Sequence, residues 1–221
     1  QAGLRTRKYV SLHIRDSAEK RQELRLHGHS MPSIASYRSL VSALVAVLDG
    51  LVVHTSSDAA LRNLTALLRG TALTVAHTAH RRNDHDEWGG WLASQAPTDQ
   101  TLQGAIGIIN AELAANAAVL LTPTFSSWSI MLRTLLGRKR DDAAPPPTAW
   151  GGQGQHASRE RDADAVSFCC GCSPREQRGR IQTGNVMALI SSSLSAPFRQ
   201  RLHHRLITAN ITGCRVVSPL N

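Results

Sequence analysis

Short apolar runs alternate with amphipathic segments over residues 1–137 of the chain. The first run, Tyr9 to Ile14, has the length and alternation of a β-strand, and the polar residues from Arg15 onward end it. Apolar residues then recur at helical spacing from Ile34 to Leu48, and the Asp49-Gly50 pair is typical of a helix end. The pattern therefore begins as a strand followed by a helix, with a polar segment between them that is either a helical turn or a loop.

The same alternation continues towards residue 137. It predicts strands over Leu51–His54, Thr71–Ala76 and Ala118–Thr122, and helices from Asp58 to Gly70, from Leu102 to Asn116 and from Ser129 to Leu136. Strands that are apolar on both faces and alternate with helices are typical of a parallel sheet. We therefore predict an α/β fold, a Rossmann-like parallel sheet with helices on both faces, for residues 1–137.

The composition changes at Arg138. A run of arginine, lysine and aspartate leads into Pro145-Pro146-Pro147 and then into Gly151-Gly152-Gln153-Gly154, which is linker chemistry. The four cysteines, Cys169, Cys170, Cys172 and Cys214, follow no zinc-site spacing. We predict a Pro/Gly/Arg-rich linker over residues 138–182 and a weakly structured, poorly ordered tail over residues 183–221.

Overall composition narrows the class of partner. The hydrophobic fraction of 42% is that of a globular protein, and the net charge of +9 suits anionic partners. Residues 138–221 hold 12 Lys+Arg and 6 Asp+Glu, so they carry +6 of this charge. Only 4% of the residues are aromatic, which leaves few side chains for base stacking, so nucleic acid is not an expected partner. The sequence has no apolar run of about eighteen residues, and we expect a soluble piece of a longer protein.

The first strand delivers His13 and Arg15 to its carboxyl end. Ligands of open α/β sheets bind outside the carboxyl ends of the strands, and a guanidinium is suited to phosphate oxygens. These two residues predict a phosphate-bearing ligand. The alternative is that Arg15 pairs with Asp16 or a nearby glutamate and that His13 only closes the strand.

The segment from His77 to Pro97 interrupts the pattern. It combines Trp88-Gly89-Gly90-Trp91 with histidines and acidic residues, and we interpret it as a binding loop at the same edge of the sheet. His77, His80 and His85 suggest a metal site, but their spacing is not that of known zinc ligands. A solvated, histidine-rich loop is the favoured interpretation.

A second candidate anion site follows the fourth strand. Ser126 and Ser127 lie between this strand and the next predicted helix, where hydroxyl donors and free backbone N–H groups converge. The alternative is that Ser126 is an ordinary helix N-cap.

Four motifs in fixed order resemble the donor-binding half of GDP-fucose-dependent fucosyltransferases, most closely the core α1,6 enzymes and the bacterial chitin-oligosaccharide enzymes. Their motifs read His-x-Arg-Arg and Thr-Phe-Ser-Ser. In this chain the motifs are His13-x-Arg15, Val53-His54-Thr55-Ser56 with Asp58, Gly107-Ile108-Ile109, and Leu120-Leu121-Thr122-Pro123-Thr124-Phe125-Ser126-Ser127. The resemblance covers roughly residues 8–137.

The resemblance implies one half of a GT-B glycosyltransferase that binds GDP-fucose and transfers fucose to a glycan or glycoprotein acceptor with inversion. Arg15 would stabilise the departing diphosphate, and His13 would lie beside the nucleotide. Glu23, ten residues past His13, would be the general base, unless it is only a solvated charge. Thr124, Phe125, Ser126 and Ser127 would contact the donor. No metal cofactor is expected, because arginine and helix-end donors would supply the positive charge.

The chain also departs from the family pattern. Asp16 replaces the second arginine, and Ala111 replaces an aspartate that binds the nucleotide base, with Asn110 and Glu112 beside it. Glu112 is therefore the candidate for base recognition. The family places the full-length protein in the secretory pathway, in the Golgi lumen, with membrane contact only through an anchor outside this chain. The alternatives are a transferase for another nucleotide sugar, an inactive relative, and a non-catalytic basic fragment that binds nucleic acid or acts as a scaffold.

Overall fold

The computed structural model describes residues 8–26, 31–80, 82, 93–123, 126–132, 135, 165–170, 185–191, 193–209 and 214–217. Thr124 and Phe125 lie outside these ranges, as do His85 and the tryptophans of the predicted binding loop. The elements are β1 (Tyr9–Ile14), α1 (Ala18–Leu26), α2 (Ile34–Leu44), β2 (Gly50–Thr55), α3 (Asp58–Leu67), β3 (Thr74–His77), α4 (Pro97–Ala115), β4 (Val119–Pro123), β5 (Ala165–Cys170), β6 (Asn185–Ile190), α5 (Ala196–Thr208) and β7 (Cys214–Val217). Residues 127–132 are also helical.

One mixed sheet of seven strands joins these elements in the order β3-β2-β1-β4-β6-β5-β7. The first four strands in this order are mutually parallel, as the sequence predicts, whereas β6, β5 and β7 pair antiparallel. The α/β class is confirmed, and so is the parallel pairing of the strands within residues 1–137, but the whole sheet is mixed because strands beyond residue 137 join it. The prediction of a poorly ordered tail over 183–221 is corrected, because β6, α5 and β7 belong to the fold.

The antiparallel strands escape sequence analysis because each is short and the segments around them have linker composition. The described side chains of β6 are nevertheless all buried, with Val186 and Ala188 at 0% exposure. The strand extends the sheet by pairing with β4, so that Leu120 lies opposite Leu189. A strand that becomes stable only through such long-range pairing carries little local signal.

Local capping explains where the helices begin. Ser33 accepts a hydrogen bond from the backbone N–H of Ser36 at 3.1 Å, and Ser57 accepts one from Ala60 at the same distance. Both serines have extended backbones and satisfy N–H groups that the first helical turn leaves unpaired. Pro97 fills the first turn of α4, where its missing N–H costs nothing.

Several boundaries differ from the predictions for local reasons. The third strand begins at Thr74 rather than Thr71, because the Thr71 hydroxyl and N–H both donate to the carbonyl of Leu68 and prolong the turn after α3. Gly70 makes this turn possible with a φ of 82°. The polar segment after β1 forms a helix, α1.

Helices cover both faces of the sheet. One face of β1, formed by Val10, Leu12 and Ile14, belongs to a single apolar core with residues of α2, α3 and α5. The opposite face packs under α4 and the helical segment 127–132 through two smaller clusters, which include Ala114, Leu120 and Leu132. None of the described helices is both long and apolar enough to cross a membrane.

Candidate functional site

The candidate site lies where the strand order reverses. Strands β2 and β3 follow β1 on one side of it in the sheet, and β4 then pairs with β1 on its other side. The connections that follow β1 and β4 therefore run to opposite sides of the sheet. A crevice forms at the carboxyl ends of two such strands, and this is where open α/β sheets bind ligands. His13 lies near the end of β1 and Thr122 near the end of β4.

His13 is held between hydroxyl groups from β4 and the helical segment 127–132. Its Nδ1 lies 3.3 Å from the Oγ1 of Thr122 and 3.3 Å from the Oγ of Ser129, and Thr122 donates to Ser129 at 2.6 Å. The Trp128 ring meets the imidazole edge-on at 6.5 Å between centroids. Burial, followed by the nearby charges of His54 and Arg15, lowers the pKa of His13 to about 3. His13 is therefore a neutral hydrogen-bonding group at physiological pH.

Arg15 follows directly after β1 and is partly exposed. The alternative interpretation pairs it with Asp16, but the Asp16 carboxylate instead forms an ion pair with Arg21 of α1. Within the described part of the chain, Arg15 forms no hydrogen bond or ion pair. A guanidinium that none of these described residues engages, at the crevice between β1 and β4, can bind an anionic ligand.

Glu23 projects from the middle of α1. Its carboxylate is 53% exposed and forms an ion pair with the ammonium group of Lys20 at 2.6 Å. This is the arrangement expected of a solvated charge. To act as a general base, Glu23 has to leave Lys20 and approach the acceptor hydroxyl.

Ser126 and Ser127 begin the helical segment after β4, and their environments differ. Ser126 is buried, and its carbonyl accepts a hydrogen bond from the N–H of Ile130, as an N-cap residue does. Ser127 is exposed. The serine that reaches His13 is Ser129, which is fully buried and which sequence analysis did not identify.

Glu112 lies near the amino ends of the strands, away from the carboxyl ends where His13 lies. Its carboxylate accepts a hydrogen bond from Asn116 at 2.7 Å, and its charge, after burial, contributes to the raised pKa of Tyr9. Tyr9 starts β1 and His13 is four residues further, so the two are about 13 Å apart along the strand. The structure does not bring Glu112 to the crevice that His13 lines.

A second polar cluster lies beneath α4, next to His13. The Nε2 of His54 lies 2.8 Å from the Oγ of Ser11, and burial lowers the pKa of His54 to about 4. The nearby Asn110 side chain partly opposes this shift, and the charge of His80 adds to it, while the buried Nδ1 of His54 has no hydrogen-bond partner among the described residues. Asn110 in turn accepts a hydrogen bond from Thr78 at 3.1 Å. His54 occupies the register position opposite His13.

Arg82 anchors the chain after β3 to the ends of β2 and β3. It donates to the carbonyl of Thr55 at 3.2 Å and to that of Thr78 at 2.7 Å, and it lies 3.6 Å from Asp58. Its side chain is only 5% exposed, so the guanidinium interacts with these protein groups rather than with solvent. Sequence analysis missed this role because Arg82 sits in a segment without periodicity.

Metal binding finds no support in the described ranges, which contain no group of three or more His, Cys, Asp or Glu residues able to hold an ion. His77 lies 3.3 Å from Arg82, while His80 contacts Thr78. His85, Asp84, Asp86 and Glu87 lie outside the described residues.

Comparison with known proteins leaves the geometry as the main guide to function, because no family model matches the chain and neither a curated protein nor a solved structure proved similar to it.

Proposed function

We propose that this chain is the donor-binding part of a glycosyltransferase that resembles fucosyltransferases. The observation that carries the proposal is Arg15, whose neighbour Asp16 pairs with Arg21 and so leaves the guanidinium available at the crevice between β1 and β4. The donor is GDP-fucose, and the acceptor is a glycan or glycoprotein. The corresponding location of the full-length protein is the Golgi lumen.

In the proposed reaction, the acceptor hydroxyl oxygen attacks the anomeric carbon of fucose as the bond from that carbon to the diphosphate oxygen breaks. The electron pair of the broken bond leaves with GDP, and the hydroxyl proton passes to a base, for which Glu23 is the candidate. Attack from the face opposite the leaving group inverts the anomeric centre. Arg15 stabilises the negative charge that develops on the diphosphate, and a fixed cation in a crevice does this efficiently.

The other residues predicted to contact the donor differ in how accessible they are to it. His13 provides a neutral donor beside Arg15, and the exposed hydroxyl of Ser127 is available to a phosphate group, whereas Ser126 is buried. We assign no donor contact to Glu112, because it lies near the amino ends of the strands. The proposal requires no metal ion, since Arg15 supplies the positive charge.

Calorimetric titration with GDP and GDP-fucose tests the proposal, with UDP and ADP as competitors for specificity. Arg15→Ala should weaken GDP binding at least about tenfold, because a hydrogen bond to a charged group contributes about 1.5–3 kcal/mol. Arg69→Ala is the matched control, an exposed arginine beyond the end of α3. Absence of nucleotide binding by the folded wild type, or equal binding by Arg15→Ala, would contradict the proposal.

The second candidate function is binding of a nucleic acid by the basic face of α5. This helix contains no acidic residue, and Arg201, His204 and Arg205 line a shallow depression on its exposed side. Lys8 adds a further charge nearby, 3.7 Å from the centre of the Phe198 ring. Among the described residues from 165 onward there is no aspartate or glutamate to offset these charges.

The two functions place the anion on different elements, so one pair of variants separates them. If α5 binds a polyanion, the double variant Arg201→Ala/Arg205→Ala should weaken binding of single-stranded oligonucleotides and reduce its salt dependence by about two phosphate contacts. GDP binding should then be unchanged in this variant. Oligonucleotide binding that is insensitive to both substitutions would exclude this helix as the binding face.

A further inference from the structure

The hydroxyl groups around His13 have a defined hydrogen-bond direction. Thr122 Oγ1 donates its hydrogen to Ser129 Oγ at 2.6 Å, so the hydrogen of Ser129 must point elsewhere. Within the described residues, the only other polar atom in hydrogen-bond contact with this hydroxyl is Nδ1 of His13, 3.3 Å away. Ser129 is fully buried, so water does not compete for its hydrogen. The direction therefore runs from Thr122 to Ser129 to His13. Thr122 Oγ1 also lies 3.3 Å from Nδ1, but its hydrogen is already donated to Ser129, so Ser129 is the hydroxyl that can donate to the ring.

This direction fixes the tautomer of His13. A nitrogen that accepts a hydrogen bond cannot carry a proton, so the proton of the neutral ring is on Nε2. If both ring nitrogens were protonated, the N–H at Nδ1 would point at the hydrogen of Ser129. This contact is unfavourable, in agreement with the lowered pKa of His13. The edge-on contact with Trp128 adds packing that opposes rotation of the ring.

The Nε2 atom is free for a ligand. No described residue bonds to it, and it is not one of the buried polar atoms that lack a partner. The exposed 7% of His13 therefore includes Nε2. Arg15, two residues further along the chain, is close enough for its charge to lower the pKa of His13.

We propose that the Thr122–Ser129 hydroxyl pair holds His13 as the Nε2–H tautomer and so presents a fixed, neutral hydrogen-bond donor beside Arg15 for an oxygen of a phosphate-bearing ligand. Thr122 and Ser129 are positioning residues that act through His13. The identity of the ligand rests on the function proposed above, whereas the tautomer does not.

The tautomer can be measured on the wild-type protein without any ligand. Long-range ¹H–¹⁵N correlation spectra of the imidazole rings distinguish a protonated from an unprotonated ring nitrogen, and loss of one signal set in His13→Gln identifies His13. We expect a protonated Nε2 and an unprotonated Nδ1 whose shifts do not change between about pH 8 and pH 5, because the folded-state pKa lies below this range. A protonated Nδ1 would overturn the inference.

Two variants test the hydroxyl pair. Ser129→Ala leaves the Thr122 hydroxyl free to turn towards Nδ1, so the tautomer should persist. Thr122→Val/Ser129→Ala removes both donors, and the ring should become a mixture of tautomers. Retention of pure Nε2–H in the folded double variant would show that the hydroxyl pair does not set the tautomer.

The consequence for binding is read from GDP titrations of the same variants. The double variant should bind GDP several-fold more weakly, while the control Arg69→Ala, at an exposed position beyond the end of α3, should bind like the wild type. If the double variant mixes tautomers but binds GDP normally, His13 does not donate to the ligand. If Arg15→Ala also has no effect, the proposed function itself fails, so the two failures are distinguishable.

Discussion

The two faces of β1 are built from alternate residues of one short strand, yet they serve different purposes. Val10, Leu12 and Ile14 enter the large apolar core with α2, α3 and α5, whereas Ser11 and His13 face α4 and the helical segment 127–132. All of these side chains are buried. Burial alone therefore does not separate structural from functional residues here. What separates them is whether a buried side chain needs hydrogen-bond partners. The polar face supplies two for the Nδ1 of His13, the hydroxyls of Thr122 and Ser129.

The polar face also explains why both histidines stay neutral. A buried imidazolium without an anionic partner is costly, and the neighbours of His13 and His54 are hydroxyl and amide groups rather than carboxylates. The apolar face stabilises the fold regardless of pH, while the polar face stabilises it only while the histidines are uncharged. This difference can be tested one face at a time.

The largest effect is expected on the apolar face. Leu12→Ala should reduce the free energy of unfolding by about 2–5 kcal/mol, because Leu12 is fully buried and the sheet cannot close the resulting cavity. Urea denaturation measures the change. The control is Leu102→Ala on α4, where the side chain is 54% exposed and a change within about 0.5 kcal/mol is expected. Similar losses for the two variants would contradict the assignment of the core.

The polar face should lose stability in acid. Burial lowers the pKa values of His13 and His54 to about 3 and about 4, while in the unfolded chain both titrate near the ordinary value of 6.5. As pH falls below this value, protons bind the unfolded chain first, so stability decreases until the folded-state pKa values are reached. Between pH 7 and pH 5 the loss should be about 2 kcal/mol for each histidine.

Denaturation curves at several pH values, for the wild type and for His54→Gln, check this expectation. Replacing His54 should remove about half of the loss between pH 7 and pH 5, because glutamine does not titrate in this range. An unchanged pH profile in the variant would show that His54 is not buried as a neutral group.

The parallel part of the sheet was predictable because its signals are local. Strands β1, β2 and β4 are short apolar runs that alternate with helices. Ser33 and Ser57 cap the starts of α2 and α3, as expected from the sequence. The antiparallel strands β5 and β6 were not predictable, because β6 depends on pairing with β4 across a segment of linker composition and β5 depends on pairing with β6. Long-range pairing of this kind has no periodic signature in the sequence.

The site was predictable only in part. Strand-end position identified His13 and Arg15, but it could not show that Asp16 pairs with Arg21 or that Ser129 rather than Ser127 reaches His13. Helical phase gives a partial signal for Ser129, since it lies three residues after Ser126 and so on nearly the same side of the helix. Glu112 does not reach the crevice because it lies in the last turns of α4, which end near the amino ends of the strands.

The smallest effect should come from the ion pair that separates Asp16 from Arg15. Arg21→Ala should change the free energy of unfolding by less than about 1 kcal/mol, because both partners are partly exposed, with Arg21 at 44% and Asp16 at 26%. It should weaken GDP binding more visibly, by a few-fold, because the unpaired carboxylate then competes with the ligand for the adjacent Arg15. Arg25→Ala, on the next turn of α1, controls for loss of a basic residue. Restoration of GDP affinity in Arg21→Ala/Asp16→Asn would attribute the loss to the Asp16 charge, whereas a loss that persists in the double variant would mean that Arg21 contacts the ligand itself.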